Sequence, residues 1–586
     1  MRDRPPADGA RRGRRRLVLG LVLATVVAWG IAVGLSLAGA HRDVRSGLDA
    51  VRAAQRASSP EDLLEGRPLE PLRRGGRAFG RAERRLDSVL LAPLRVLPIA
   101  GRQLRSAAAL AGAASDVADV GADAVADARR VLRRPHGTGP ERVAMLREMA
   151  RLAGDAERRL RDLDLGPSRA LVDPLAERRA EVVERLDRLR SSLRNGRVVA
   201  TELADLLTGP RRYLVLAANN SEMRAGSGMF LSAGELAFAD GSFRLGAFRP
   251  TGDLYIQGEP PPVTDADHRD RWGWLNPNRE WRNLGASPRF DATAELASRM
   301  WAATGGAPVD GVLAMDPVAL RAVLRATGPV RVADREVTAD NVLDLLLHDQ
   351  YVGIRSQADR AQAGRRELLG LIAQAALDNL ERGGWETATL ASQLADAAQG
   401  RHLLAWSSEA DTQEAWQRAR VDGRLQEDSL LLSVLNRGGN KLDRFLHAAA
   451  AVEVRPSGEE TEVVVRVRLE NRTPEDESLY IAGPFPGSGV GEGDYTGLLS
   501  LNVPGWAGGL TADVDRPAAS GADGPTRVHA VPVTVRRGET ATVAFRFRVA
   551  ARHAAFTVEP AARVPAIAWT GPGGSWESGE RRRVSW

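Results

Sequence analysis

The chain has 586 residues, 43% of them hydrophobic and 27% charged, with a formal net charge of +6, which is enough for several domains with substantial cores. The absence of cysteine excludes disulfides, thiolate catalysis and cysteine-based zinc sites, and eight histidines with no His-x-x-x-His pair argue against a zinc enzyme. Lys441 is the only lysine, and acids are interspersed with the arginines along most of the chain, so no folded segment reads as a nucleic-acid footprint.

Residues 1–16 are a basic segment, with seven arginines against Asp3 and Asp8. Residues 17–40 carry no charge, and these 24 residues exceed the roughly 20 needed to cross a bilayer core. The basic flank predicts a cytoplasmic tail, a single membrane-spanning helix over 17–40 and an extracellular remainder. A cleaved signal peptide is the rival reading, because Leu37-Ala38-Gly39-Ala40 would suit a cleavage site; the length of the apolar core favours an uncleaved anchor.

Residues 41–207 are rich in alanine, arginine and leucine at helical spacing, divided by Pro93, Pro98, Pro135, Pro140, Pro167 and Pro174. They predict a helical stalk, part of which packs as ordinary core. An α/β domain is expected over 208–448. Its first strand is the apolar run Tyr213–Ala218, followed by the polar loop Asn219–Gly228. Two further apolar runs, Met229–Phe238 and Phe243–Phe248, are joined by Asp240-Gly241, a strong hairpin signal. In such a hairpin Arg224 and Arg249 converge on one sheet edge, with Asn219, Asn220 and Glu222 beside them. Two guanidinium groups there suit a phosphate or carboxylate. An Arg224–Glu222 ion pair with a solvated Arg249 is the alternative.

Residues 250–289 read as an irregular excursion holding Trp272, Trp274 and Trp281, either as a ligand platform or as plugs on a core. A helix is expected from Phe290 to Ala303 and a buried strand over Val309–Met315. Asp316-Pro317 then suits a helix start, with aspartate as N-cap and proline in the first turn. Strands alternating with helices predict an α/β arrangement. Beyond Asn341, the residues Arg355, Asp359, Arg360, Arg365 and Arg366 crowd one segment, as an arginine face or as an Asp–Arg surface network. Residues 380–448 read as helical. From 449 to 586, alternating runs such as Thr540–Val549 predict a β-sandwich, Ig-like in class.

These residues resemble a bacterial family catalogued as domain of unknown function 4012, common in actinobacteria. The matching stretches are 97–104 (LPIAGRQL), 212–224 (RYLVLAANNSEMR), 309–317 (VDGVLAMDP) and 327–330 (TGPV). A more distant resemblance, in the order of elements, is to the LytR–CpsA–Psr proteins, which transfer glycopolymers from polyprenyl-pyrophosphate carriers. It implies a mixed sheet with flanking helices and phosphate contacts from Arg224, Arg249, Arg355 and Arg360, with Asn219, Asn220 and Glu222 shaping the loop. Gly226-Ser227-Gly228 lacks the acid that family uses for its metal, so magnesium is left without its expected ligand and no metal residue is assigned. The resemblance implies a membrane-anchored protein of the cell envelope that binds a phosphorylated glycolipid or glycopolymer, and transfers it if it acts as a phosphotransferase-like ligase. A non-enzymatic scaffold or protein-interaction module is the alternative.

Overall fold

The computed structural model describes residues 8–57, 59–134, 137–352, 368–484 and 489–586; for 8–24, 60 and 61 it describes the backbone alone. The chain is mixed helix and sheet, and it divides into two compact units, residues 1–134 with 148–197 and residues 135–147 with 198–586.

The first unit is built from α1 (Asp8–Arg56), α2 (Pro60–Glu65), α3 (Leu69–Leu86), α4 (Ala92–Arg95), α5 (Pro98–Leu132) and parts of α6 (Gly139–Arg161) and α7 (Asp173–Thr208). A capping box starts α2, where Ser59 Oγ accepts from Asp62 N and the Asp62 carboxylate accepts from Ser59 N. Small residues let α3 lie close to its neighbours: Gly47 faces the Phe79 ring, and Gly76 faces Asp119 of α5. Asp43 of α1 receives Arg81 at 3.0 Å and Arg85 at 2.9 Å.

The membrane-spanning expectation is corrected here. Among the described residues no helix is long and apolar enough to cross a membrane, so neither the spanning helix at 17–40 nor the single-pass localisation built on it stands. The uncharged run lies within a 49-residue helix, Asp8–Arg56, that continues without a break through Arg42, Asp43 and Arg45. Part of its described portion packs on protein: Trp29 Nε1 donates to Leu90 O at 2.9 Å, and Ala40 is buried with Leu86 and Ala108, whereas Val26, Val27, Ile31 and Leu35 are exposed. Residues 1–7 of the expected tail lie outside the described residues.

The second unit opens with β1 (Arg211–Met223), β2 (Gly228–Ala239), β3 (Ser242–Leu245) and β4 (Arg249–Pro250). The Asp240-Gly241 turn is present, with positive φ at both residues (52° and 78°) and Ala239 paired to Ser242. There follow α8 (Ala266–Trp272), α9 (Phe290–Ala303), β5 (Gly311–Met315) and α10 (Pro317–Thr327). A hairpin of β6 (Val330–Val332) and β7 (Arg335–Val337) leads into α11 (Val342–Leu347), α12 (Leu368–Arg382), α13 (Thr387–Gln399), β8 (Leu403–Ser407) and α14 (Ala410–Ala419). The main sheet runs β3-β2-β1-β5-β8, with β4 also on β2; β1 and β5 are parallel, and the other pairings are antiparallel. Leu214, Leu216 and Ala218 pack toward α9, whereas Tyr213 and Val215 pack with Phe238 and Trp416, so both faces of β1 are covered. Strand β8 lies inside the stretch expected to be helical.

The C-terminal strands are β9 (Ser429–Asn436), β10 (Leu446–Ser457), β11 (Glu460–Asn471), β12 (Tyr495–Pro504), β13 (Gly508–Ala512), β14 (Ala519–Asp523), β15 (Thr526–Val535), β16 (Thr540–Ala550), β17 (Ala555–Val558), β18 (Ala568–Gly571), β19 (Gly574–Glu577) and β20 (Arg582–Ser585). They form two six-stranded sheets, β13-β16-β11-β10-β18-β19 and β14-β15-β12-β9-β17-β20. The sheets take in β9, upstream of 449, and include two parallel pairings, β10 with β18 and β9 with β17. Val463, Val465 and Val467 of β11 and Phe545, Phe547 and Val549 of β16 point into one core, as their alternation requires.

One buried carboxylate joins these sheets to the α/β part. Asp443, fully buried, accepts from Met223 N at 2.9 Å, Arg563 Nη1 at 2.9 Å, Asn436 Nδ2 at 3.0 Å and Tyr495 Oη at 3.3 Å. Asp443→Ala leaves the Arg563 guanidinium buried without its acid and is expected to cost about 3–5 kcal/mol in urea unfolding. Asp443→Asn, which removes the charge but keeps an acceptor for Met223 N, is expected to cost less; equal losses would show that the charge paired with Arg563, and not the hydrogen bond to Met223 N, is what the site contributes.

Candidate functional site

The second unit holds a cavity of about 860 Å³ where the end of β1 meets the C-terminal sheets. Its position follows from topology. Strands β1 and β5 are parallel neighbours, so the loop after Met223 and the start of α10 after Met315 emerge at the same edge, and residues of both line the cavity. Gly228 is required there, because a Cβ on it would lie 2.3 Å from the backbone carbonyl of Asn219.

The polar loop expected from Asn219 is strand as far as Met223, and this end of β1, with Arg224 after it, is fastened side chain by side chain. Asn219 donates to Tyr351 Oη at 2.7 Å and accepts from Ser221 N at 3.0 Å. Asn220 donates to Asp316 Oδ2 at 2.8 Å and to Ala562 O at 2.7 Å. Asp316 caps α10 through Oδ1, accepting from Val318 N at 2.8 Å, while His402 Nδ1 lies 2.6 Å from Oδ2. Glu222 pairs with Lys441.

Lys441 is central to the buried part of the cavity. Its Nζ sits 4.5 Å from the ring centroid of Tyr351 and 5.4 Å from that of Tyr480, and its side chain is 9% exposed. Burial pushes its ammonium down to about 7. Burial likewise raises the Tyr351 phenol. Arg224 is buried and held by carbonyls: Nε donates to Arg282 O at 2.8 Å, and Nη1 to Met223 O at 2.9 Å and Asn436 O at 2.8 Å. Burial, with Arg437 nearby, lowers Arg224 to about 10, so it stays charged at neutral pH.

The more exposed lining includes Asp253, Tyr255, Glu280, Arg282 and Arg437. Tyr255 is 76% exposed. Arg282 makes a two-point pair with Glu280, at 2.9 and 2.8 Å. The Arg437 guanidinium lies over the Trp274 ring, 5.3 Å from its centroid. Of the three tryptophans in the excursion, Trp272 and Trp281 are buried plugs, and Trp274 is half exposed beside the cavity.

Of the residues expected to hold an anion, Arg224 lines the cavity with Asn219 and Glu222, while Asn220 is buried beside it. Arg249 is exposed on β4 opposite Ala233, and it is not among the lining residues. Arg224 follows Met223, which pairs with Gly228. The five residue steps from Gly228 to Ala233 put roughly 16 Å of strand between the two positions, and the structure does not bring these arginines together. Arg355 and Arg360 lie outside the described residues. No group of three or more His, Asp or Glu side chains among the described residues is placed to hold a metal. Lys441, Tyr351, Tyr480, Arg437 and the Glu280–Arg282 pair were not picked out from the sequence. The one available signal was a lone lysine in a chain that otherwise uses arginine.

Residues 208–351 match the family model described as "Protein of unknown function (DUF4012)". The chain carries a DUF4012 domain. The match supports no likeness to the LytR–CpsA–Psr proteins. None of the curated proteins and none of the solved structures matches the chain. The DUF4012 domain supplies Asn219, Glu222, Arg224 and Tyr351 to the cavity, whereas Arg437, Lys441 and Tyr480 come from beyond the matched residues.

The shift at Lys441 has a definite sign. Its folded value of about 7 lies below the ordinary lysine value of about 10.4, so the unfolded chain binds the extra proton between them and folding is favoured as pH rises. Relative to Lys441→Met, the wild-type chain should therefore gain stability from pH 7 to pH 10 in urea midpoints. A difference that stays flat with pH would mean that Glu222 keeps the amine charged.

Proposed function

We propose that this chain binds an anionic saccharide, a sugar bearing phosphate or carboxylate, either free or as the head group of a glycolipid. The observation carrying this reading is the make-up of the cavity. Its volume falls in the range of small-molecule sites, and tyrosines, side-chain amides and four cations converge on it. Aromatic faces such as that of the exposed Tyr255 suit the C–H surface of a sugar ring.

Charge favours an anion. Lys441 and Glu222 neutralise one another, as do Arg282 and Glu280. Arg224 and Arg437 have no carboxylate within ion-pair distance among the described residues, against the single remaining acid, Asp253. The cavity thus keeps an excess positive charge on side chains that can meet a ligand. Binding alone is proposed; transfer chemistry is not required by this arrangement.

Calorimetric titration of the full chain with N-acetylglucosamine 1-phosphate and with N-acetylglucosamine tests the reading. The phosphorylated sugar should bind more tightly, and Arg437→Ala should weaken it roughly tenfold, about 1.4 kcal/mol, with little effect on the neutral sugar. A parallel titration with polyprenyl-pyrophosphate-linked N-acetylglucosamine in detergent separates a lipid head group from a free ligand. Equal binding of charged and neutral sugars, or no binding in either form, overturns the proposal.

A further inference from the structure

The cavity contains the only amine side chain in the protein: all other basic side chains that carry a fixed charge are guanidinium groups, which cannot act as nucleophiles at neutral pH. Lys441 lines the open space rather than lying sealed behind it. Two tyrosine rings flank its Nζ, and a carboxylate touches it. A salt bridge built only for stability needs neither an opening to solvent nor a ligand-sized space beside it.

We propose that Lys441 forms a reversible imine with the carbonyl of an anionic sugar held in this cavity, with Glu222 carrying the protons; this rests on the saccharide-binding reading above. Glu222 takes one proton from the Lys441 ammonium, leaving a lone pair on Nζ. That pair attacks the carbonyl carbon of the open-chain sugar, a C–N bond forms, and the carbonyl π pair moves to oxygen, which takes the proton held by Glu222. The nitrogen then gives a second proton to the Glu222 carboxylate, which passes it to the carbinolamine hydroxyl so that it leaves as water as the C=N bond forms. The sum is amine plus carbonyl giving imine plus water, with no oxidant or reductant. Burial supports the step, since it holds the amine partly neutral near pH 7. Tyr351, fixed by Asn219, and Tyr480 limit the directions from which a carbonyl reaches Nζ.

The test treats the full chain with glyceraldehyde 3-phosphate and cyanoborohydride at about pH 7.5, followed by intact mass and peptide mapping. The single lysine makes the result unambiguous, with the N-terminal amine as an internal reference. One reduced adduct is expected on the Lys441 peptide, formed faster than on the N-terminus and suppressed by excess glucitol 6-phosphate, which carries phosphate but no carbonyl. Lys441→Arg, which keeps a positive charge but offers no amine, should show no internal adduct. Glu222→Gln should slow the Lys441 adduct by roughly a hundredfold. No adduct at Lys441 while the sugar phosphate still binds overturns the imine and leaves the binding reading standing. An adduct that glucitol 6-phosphate does not suppress overturns the link to a bound sugar. Absence of both binding and adduct removes both proposals.

Discussion

The second unit depends on one buried carboxylate. Asp443 has no solvent exposure, and its acceptor positions are taken by a β1 amide, an asparagine, a tyrosine and an arginine. A carboxylate in a dry site is tolerable only when it is matched this fully. Its partners are distant in sequence on both sides: Met223 at the end of β1 lies 220 residues before Asp443, and Arg563 lies 120 residues after it. The same contacts fix the Asn436–Asp443 segment, which carries Arg437 and Lys441, against the end of β1, which carries Glu222 with Arg224 after it. The cavity is therefore held in shape by a structural contact just behind it.

That arrangement explains why the carboxyl end of β1, Asn219–Met223 with Arg224 after it, is both polar and buried. Polar side chains at a strand end ordinarily face water. Here that end is covered by the C-terminal sheets, so each polar side chain must find a partner: Asn219 reaches Tyr351, Asn220 reaches Asp316 and Ala562, and Arg224 reaches three backbone carbonyls. The carbonyls satisfy the hydrogen-bonding demand of Arg224 without cancelling its charge. Positive potential then persists in the cavity even though that arginine is fixed in place.

Features set by neighbours in sequence were legible in the residues. The Asp240-Gly241 turn, the Asp316-Pro317 helix start and the alternation of β11 and β16 are local signals, and the structure contains each of them. Longer-range inferences fared less well. A plain hairpin would put Arg249 at the end of the strand facing Arg224, but β3 ends at Leu245 and the chain rejoins β2 only at Ala233. Strand β8 was hidden because Leu403-Leu404-Ala405-Trp406 is a short apolar run between two alanine-rich helices, and such a run does not distinguish helix from strand. The uncharged stretch 17–40 is apolar, yet apolar composition does not say what covers it: Ala40 is covered by Leu86 and Ala108, whereas Val26, Val27, Ile31 and Leu35 are exposed. Lys441 could not be matched to Glu222 from sequence, because nothing local joins them.

The use of lysine at 441 bears on how charge and reactivity can coexist in one cavity. An arginine there would hold the same pair with Glu222 and the same place between the rings, but it would never be neutral. With lysine, the proton can sit on either partner. The Lys441–Glu222 pair sums to zero whether it is ammonium and carboxylate or amine and carboxylic acid, so passing the proton across leaves the net charge of the cavity unchanged. The positive excess that attracts an anion comes from Arg224 and Arg437, outside that pair. The cavity separates the groups that would recognise a ligand from the group that would react with it, and this separation lets a buried amine lose its proton without weakening the field that holds the ligand.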